Sequence, residues 1–194
     1  MAESTVRTPS ARIGGDVMAA ALELLDAEGP DHFTVRAIAK CAGVAPMALY
    51  NHFEGKNGVL DAIWLEGFSR LREVVARVAG DPLDDLHEVG INYRGFALSH
   101  RAHYTVMFMH RFVGFEPSAE GVVAAARAFG ALVEQVDRAQ RAGYFAGRDA
   151  SDVAQMLWST SHGYVSLEIL GVNFAGDADD NYRELTASLL RGLA

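Results

Sequence analysis

The sequence has few features of an extracellular or membrane protein. Cys41 is the only cysteine in 194 residues, so no disulfide can form within the chain. No stretch reaches the roughly 18 apolar residues of a membrane span, and the N-terminal MAESTVRTPSAR lacks the apolar core of a signal peptide. We therefore expect a cytoplasmic protein without a membrane partner. Cys41 itself is expected to pack as a small buried residue, with redox sensing as the alternative.

Motifs of catalysis and of metal or cofactor binding are also missing. Neither G-x-S-x-G nor a P-loop occurs, and no Glu-x-x-His is present to supply a carboxylate di-metal site. His100, His103 and His110 would suit a shared metal, but histidines placed near helix-end carbonyls are the more ordinary interpretation. We predict no metal, no cofactor and no enzymatic activity.

Strand patterns and two-residue hairpin turns are absent, whereas helical spacing of apolar residues recurs along the chain. Half of the residues are hydrophobic, which favours a globular protein over a disordered one. We predict an all-α fold of about nine helices, preceded by a tail of residues 1–10. The predicted helices are residues 11–28, 35–42, 46–52, 56–79, 83–100, 102–114, 118–143, 149–172 and 179–193.

The segment Thr34–Lys56, TVRAIAKCAGVAPMALYNHFEGK, has the pattern of two short helices joined by a tight turn. Ala39 is small enough for a second helix to cross closely over the first. Gly43 stands at the turn, where glycine adopts a positive φ without steric cost. Leu49 faces back to the first helix, which leaves the other side of the second helix free. A helix-turn-helix presents its recognition helix to the DNA major groove in this way.

The free side of this second helix carries side chains that are unusual for a solvated surface. Thr34 suits the N-cap of the first helix, and Pro46 suits the first position of the second. The exposed positions hold Met47, Tyr50, Asn51 and His52, with Arg36 and Lys40 on the preceding helix. A helix without a partner would more often carry Glu and Lys here, so we predict a DNA-binding surface.

The overall charge limits the kind of DNA binding that is expected. The net charge is −8, and residues 1–60 hold five basic against seven acidic residues. A protein that wraps nucleic acid without regard to sequence would be basic throughout. The acidic residues concentrate on the first helix and its exit, whereas the basic ones lie on the tail, the turn and the next helix start. We expect few phosphate contacts and strong salt dependence.

Residues 13–56 resemble the DNA-binding domain of the TetR family of bacterial transcriptional regulators. The matching segments are AALELLDAEG, TVRAIAKCAGV and ALYNHF, followed three residues later by Lys56. The resemblance implies a dimer whose effector domain binds a small ligand and thereby alters DNA affinity. It also implies roles at the matching positions: Thr34, Tyr50, His52 and Lys56 contact phosphates, and Arg36, Pro46, Met47 and Asn51 face bases or the groove wall.

Two positions of the expected DNA-binding region depart from the family pattern. Ala45 stands where the family often has serine or threonine, so a side-chain cap and a phosphate contact are missing at that position. Asn57-Gly58 replaces the usual acidic, helix-favouring pair, so we expect the helix that begins at Lys56 to start loosely.

The C-terminal half shows a second, weaker resemblance. Trp158, His162-Gly163 and Leu167-Glu168 resemble a TetR C-terminal subfamily named for its Trp/His-Gly signature. Residues 153–172 are apolar nearly all round, so this helix must be covered on two sides. A second subunit across a two-fold axis would cover one side; a core helix of a monomer is the alternative. The predicted dimer interface comprises Leu157, Gly163, Tyr164, Leu167, Leu185 and Leu189.

Methionine and aromatic residues cluster at positions 107–115. Such stripes are usually plain core, but here they could line an apolar pocket with a few polar groups, including His110. The predicted effector contacts are Tyr104, Met107, Phe108, Arg111, Phe112, Trp158 and His162.

Together these patterns predict a ligand-responsive transcriptional repressor. Residues 1–55 form the DNA-binding domain, and residues 56–194 form the ligand-binding and dimerisation domain. As a homodimer it binds a pseudo-palindromic DNA operator, and a small apolar effector releases it. An all-α enzyme that uses the same pocket is one alternative, and a protein–protein adaptor that has lost DNA binding is the other.

Overall fold

The computed structural model describes residues 10–76, 80–174 and 176–194, and this part of the chain is helical without any strand. The predicted tail lies outside the described residues except for Ser10, which begins the first helix. The α-helices are α1 Ser10–Glu28, α2 Val35–Cys41, α3 Pro46–Phe53, α4 Lys56–Ala76, α5 Pro82–Ser99, α6 Arg101–Tyr104, α7 Ala119–Arg141, α8 Ala150–Ile169 and α9 Ala178–Leu193. A short 3-10 helix, Pro30–His32, follows α1, and a π-helix, Thr105–Met109, follows α6. The all-α prediction is confirmed.

Helix starts follow local capping chemistry. The Thr34 Oγ1 accepts a hydrogen bond from the Ala37 N–H at 3.2 Å, which confirms Thr34 as the N-cap of α2. Helices α5, α8 and α9 each begin after an aspartate whose carboxylate accepts from two backbone N–H groups of the first turn. These caps are Asp81, Asp149 and Asp177. An aspartate at this position also complements the positive end of the helix dipole.

Two of the helices end at a glycine that adopts a positive φ. Gly43 (φ 65°) ends α2, as predicted, and Gly171 (φ 70°) ends α8 after Ile169. The Val172 N–H donates to the Leu167 carbonyl and the Gly171 N–H to the Glu168 carbonyl, which is a Schellman motif. The prediction that α8 continues to residue 172 was therefore wrong by three residues.

The helix predicted at residues 102–114 is the largest departure from expectation. The segment makes one α-helical turn and widens into the π-helix, where the His110 N–H donates to the Thr105 carbonyl at 3.0 Å. His110 then adopts an extended backbone, and the helix ends. The following loop turns at Gly114 (φ 75°) and brings Phe112 and Phe115 back onto other residues of its own unit.

The described residues divide into two compact units. The first unit comprises the residues up to Glu66 together with Ala102–Ser118, and the second comprises Gly67–Arg101 and Ala119–Ala194. The division falls within α4, so it differs from the domain boundary at residue 55/56, which stays a prediction. In the part of the chain that the structure describes, no helix is long and apolar enough to cross a membrane.

The core of the first unit joins residues that are distant in sequence. Val17, Leu24 and Leu25 of α1 pack with Ile38 and Ala39 of α2, Leu49 of α3, and Val59, Leu60 and Ile63 of α4. Ala102, Val106 and Phe112 belong to the same buried cluster. The helix-turn-helix core therefore includes a segment from the middle of the chain.

The second unit is built on helices α5, α7, α8 and α9. Tyr182 of α9 is fully buried, and its hydroxyl donates to the Gly90 carbonyl of α5 at 2.8 Å. Arg138 of α7 pairs with the buried Asp85 of α5, and that carboxylate also accepts from the Gly80 N–H. These contacts join α5 to α7 and α9. They also give hydrogen-bond partners to the buried Asp85 carboxylate and the Tyr182 hydroxyl, which would otherwise be unsatisfied.

Candidate functional site

The α2–α3 surface of the first unit is built as the sequence indicates. Leu49 is fully buried and holds α3 in the core, while Met47 is 64% exposed and Tyr50 is 55% exposed on the opposite side. Asn51 and Pro46 are exposed on the same helix. Met47 and Tyr50 lie three residues apart on the helix surface, and adjacent exposed apolar side chains can mark an interaction site. This face of α3 is therefore a candidate contact surface.

Cationic and polar groups surround this face. Arg36 and Lys40 are exposed on α2, and Thr34 is exposed at its N-terminus. Ala45 caps α3 with an extended backbone and no side-chain hydrogen bond, as expected from its methyl group. His52 and Lys56 are half-buried at the end of α3 and the start of α4. The structure therefore places all nine predicted DNA contacts between the N-terminus of α2 and the N-terminus of α4.

The turn from α3 to α4 positions Lys56. Glu54 (φ 59°) and Gly55 (φ 92°) reverse the chain direction, and α4 begins at Lys56. A Cβ atom on Gly58 would lie 1.4 Å from the Phe53 carbonyl oxygen, so only glycine allows this approach. The Asn57 side-chain amide donates to the Gly114 carbonyl at 2.7 Å. The expectation of a loose start overlooked these contacts, which give both residues a specific role.

A cavity of about 400 Å³ lies in the first unit beside the π-helix. Its lining residues are Trp64, Val106, Met107, Phe108, Met109, His110, Arg111, Phe112, Phe115, Glu116 and Pro117. Four predicted effector contacts, Met107, Phe108, Arg111 and Phe112, are among them. Tyr104 is not, because it is fully buried with its ring 5.1 Å from that of Phe108.

The other two predicted effector contacts, Trp158 and His162, belong to the second unit, so the seven residues do not come together in one unit. The Trp158 indole N–H lies 3.4 Å from the Tyr93 hydroxyl, and that hydroxyl lies 3.0 Å from the His162 Nδ1. Burial lowers the pKa of His162. The Trp158 indole N–H can only donate, so the Tyr93 hydroxyl accepts from it, and the hydroxyl hydrogen can be donated to the His162 Nδ1 when that nitrogen carries no hydrogen. Sequence reasoning missed Tyr93, which has no local signal.

The predicted dimer residues differ in exposure. Gly163, Leu167 and Leu185 are exposed, whereas Leu157, Tyr164 and Leu189 are half-buried. The Tyr164 hydroxyl donates to the Ala178 carbonyl at 2.9 Å, and its ring lies 5.2 Å from that of Tyr182. Tyr164 therefore packs within its own subunit.

An exposed stripe on α8 remains available to a partner. It consists of Met156, Gly163, Leu167 and Leu170, which recur at intervals of seven, four and three residues along the helix. Residues at such spacing share one face of a helix.

An ion network on the second unit escaped the sequence analysis. The Arg94 guanidinium binds both carboxylate oxygens of Glu168, at 2.7 and 2.8 Å, and binds Asp179 at 2.7 Å. The same guanidinium lies 5.7 Å from the centre of the Tyr182 ring. The hydrogen bond to Glu168 raises the pKa of Arg94. These contacts tie α5, α8 and α9 together, but they join residues 74 and 85 positions apart, so no local pattern marks them.

The histidines and the cysteine have ordinary surroundings. His100 ends α5 with its Nδ1 3.2 Å from the Phe96 carbonyl, as predicted for a histidine near helix-end carbonyls. His103 is buried, 3.6 Å from the Glu66 carboxylate. Among the described residues, no group of three or more potential ligands could hold a metal ion. Cys41 is exposed at the end of α2, so the expectation that it packs inside was wrong.

Comparison with known proteins agrees with this arrangement. The sequence profile of bacterial regulatory proteins of the tetR family matches residues 17–63, which include α2 and α3. The profile of the tetracyclin repressor-like C-terminal domain matches residues 86–192, more than half of the chain. The chain belongs to the TetR family. It is a TetR-family transcriptional regulator with a DNA-binding and a ligand-binding domain.

Individual relatives of this TetR-family chain match either its whole length or about half of it. An uncharacterised helix-turn-helix-type transcriptional regulator from Mycobacterium tuberculosis is 28% identical over 99% of this chain and 86% of its own. The class G tetracycline repressor from Vibrio anguillarum is 37% identical over 45% of this chain and 42% of its own. A solved structure of a protein of unknown function from Rhodococcus sp. RHA1 superposes with a TM-score of 0.82, at 26% identity, over all of both chains.

Proposed function

We propose that this TetR-family regulator is a repressor that binds a pseudo-palindromic operator as a homodimer and leaves it when a small apolar effector binds. The observation that carries the proposal is the exposed α3 face, where Met47, Tyr50 and Asn51 stand in water while Leu49 anchors the helix in the core. Repression requires only that the DNA-bound dimer obstruct transcription. We propose that the protein acts in the cytoplasm.

The DNA contacts divide into two kinds. Tyr50, His52, Lys56 and Thr34 are proposed to bind phosphate oxygens, which fixes the position of α3 on the duplex. Arg36, Ala45, Pro46, Met47 and Asn51 are proposed to face the bases or the groove wall. Asn51 can form a bidentate pair with adenine, and the apolar side chains suit a thymine methyl group. The specificity therefore resides in few side chains, in keeping with the acidic overall charge.

The effector is proposed to be mainly apolar, because two aromatic clusters support ligand binding. One is the cavity beside the π-helix, and the other is the Trp158–His162–Tyr93 cluster. Binding changes DNA affinity only by as much as the effector prefers the released conformation over the DNA-bound one.

Selection of bound duplexes from a random pool tests the proposal directly. We expect an enriched sequence with two inverted half-sites separated by about one helical turn or somewhat more. Changing Met47 and Asn51 to Ala should alter the enriched sequence. If the full chain enriches no sequence, and if replacing Arg36, Tyr50, His52 and Lys56 leaves duplex binding unchanged, the adaptor alternative is correct instead.

A further inference from the structure

The cavity of the first unit is open to solvent and is lined largely by the same segment that completes the helix-turn-helix core. We propose that this cavity is the effector site, that it takes a planar aromatic molecule with one anionic group, and that Phe112 transmits its occupation to α2. This inference rests on the proposed function and chooses between its two aromatic clusters. All the residues concerned lie within the first unit.

The size and walls of the cavity indicate the shape of the ligand. Its volume of about 400 Å³ falls within the range of small-molecule sites. Trp64, Phe108 and Phe115 present aromatic rings to the space, and Trp64 and Phe115 already pack edge to face at 6.2 Å. Flat rings stack or pack edge-on against such walls with a gain beyond simple burial, so a planar aromatic body fits best.

The charges at the rim indicate an anionic group. Arg111 lines the cavity and is exposed, and its guanidinium can form paired hydrogen bonds with a carboxylate or sulfonate. His110, next to it, offers a further ring nitrogen. Glu116 is the lining carboxylate and would repel an anion, so the anionic group is expected at the Arg111 end of the cavity.

Phe112 connects the cavity to the DNA-binding surface. It lines the cavity and is also 95% buried in the core, where its ring packs edge to face on Phe33 at 5.8 Å. Phe33 directly precedes Thr34, the N-cap of α2. A ligand that displaces Phe112 therefore loosens the packing behind the first helix of the helix-turn-helix.

A second connection reaches the start of α4. The Gly114 carbonyl, two residues beyond Phe112, accepts from the Asn57 side chain, which adjoins Lys56. The loop that a ligand would move is thus hydrogen-bonded to the helix start that carries a proposed phosphate contact. The π-helix Thr105–Met109 leads into this loop, and π-helical turns are rare overall but frequent at functional sites.

A pair of matched probes tests the site and the chemistry of its ligand. Anilinonaphthalene sulfonate is aromatic and anionic, and phenylnaphthylamine is the same pair of linked aromatic ring systems without the sulfonate. Calorimetry on the full chain should give saturable binding of both probes. Arg111→Gln should weaken the sulfonate probe by about tenfold or more, as expected for one charge-assisted contact, and leave the uncharged probe unchanged. Equal effects on the two probes would overturn the anionic assignment.

The two tryptophans locate the bound probe. Trp158→Phe leaves Trp64 as the only tryptophan, and Trp64→Phe leaves Trp158. Energy transfer to the bound sulfonate probe should be strong from Trp64. In a separate variant, Met109→Trp, the larger side chain should fill the cavity and abolish probe binding in calorimetry. Val113→Ala is the control, because Val113 is 93% exposed in the same loop and does not line the cavity. Transfer only from Trp158, with binding intact in Met109→Trp, would place the site in the second unit and refute the proposal.

Operator binding with and without the sulfonate probe tests transmission. The probe should weaken binding to the selected duplex by about fivefold or more, the lower range of allosteric coupling. In Asn57→Ala and Phe112→Leu the probe should still bind, but its effect on the operator should shrink. An undiminished effect in both variants would refute the Phe112 route. Probe binding is measured without DNA, so failure to bind any duplex would count against the proposed function alone.

Discussion

At the scale of single residues, Lys56 is the proposed phosphate contact that the start of a helix positions. Lys56 begins α4, where the helix dipole also favours an anion. Lys56→Ala should therefore weaken binding to all duplexes alike and reduce the slope of log K against log salt by about 1. Measuring that slope for wild type and variant checks the contact. Arg148→Ala, an exposed cation of the second unit, is the control; a slope that stays at the wild-type value removes Lys56 from the interface.

Gly58 is a second residue on which the DNA-binding unit depends. Gly58 lies so close to the Phe53 carbonyl oxygen that a Cβ methyl group would clash with it and force α3 and α4 apart. Gly58→Ala should destabilise the protein by about 1–3 kcal/mol or more in thermal unfolding, as overpacking does. Gly15→Ala in α1 is the matched control, since that position is open, and it should stabilise by about 0.5–1 kcal/mol. Equal behaviour of the two variants would contradict the close approach.

His162 should make stability depend on pH. Its pKa is lowered by burial, so the unfolded chain binds a proton that the folded chain resists. Stability should fall as pH decreases below the unfolded pKa of about 6.5, with a slope of at most about 1.4 kcal/mol per pH unit for one proton. Urea unfolding of wild type and His162→Gln between neutral and mildly acidic pH measures it. The variant should show the shallower decline, and an equal decline in both proteins would refute this role.

The role of a residue could be predicted from the sequence when its contacts lie close to it along the chain. Thr34, Gly43 and Leu49 act within one turn or one helix pair, and their predicted structural roles as N-cap, turn residue and buried anchor are confirmed. Tyr93 meets His162 across 69 positions of sequence, and no spacing rule identifies such a pair. Cys41 was misjudged because its small size suits both a buried and an exposed position at the end of a helix.

At the scale of secondary structure elements, α8 carries the feature that favours a dimer. Its exposed stripe of Met156, Gly163 and Leu167 continues to Leu170, the C-cap residue, and a Cβ atom on Gly163 would meet nothing within 4 Å. A second copy of the same stripe across a two-fold axis would cover it. The small residue in the middle would let two such helices approach closely.

Gly163→Leu should therefore separate the subunits. The added side chain would oppose close approach by about 1–3 kcal/mol per subunit, and sedimentation at micromolar concentration should show monomer with unchanged helical content. Operator binding should be lost with the dimer. Gly95→Leu, at an exposed and open position of α5, should leave the dimer intact. A wild-type chain that sediments as a monomer would disprove the interface.

Helix ends were harder to predict than helix starts, for a physical reason. Starts are marked by an aspartate, threonine or proline whose chemistry acts on the next two or three residues. The end of the π-helix at Met109 has no glycine or proline beside it. There the chain leaves the helix so that Phe112 and Phe115 can reach Phe33 and Trp64, and only the tertiary structure specifies that exit.

At the scale of the whole molecule, the first unit, which contains the helix-turn-helix, is not a contiguous piece of sequence. Ala102, Val106 and Phe112 fill part of its core, so a fragment of residues 1–66 lacks three buried side chains. Loss of an aromatic core residue alone costs about 3–5 kcal/mol, comparable to the stability of a small domain. The fragment should show little helical circular dichroism on its own and gain it when a peptide of residues 102–118 is added. A cooperative fold of the fragment alone would contradict this.

The same discontinuity constrains recombination between relatives. A chimera could join the N-terminal 66 residues of one regulator to the remainder of another. Phe33 would then come from one parent, and the residue that packs on it, the counterpart of Phe112, would come from the other. Transplanting operator specificity by a single crossover should thus often yield unstable hybrids. A second crossover that carries residues 102–118 along with the helix-turn-helix keeps both halves of the core from one parent, so specificity is inherited in two separated stretches of the gene.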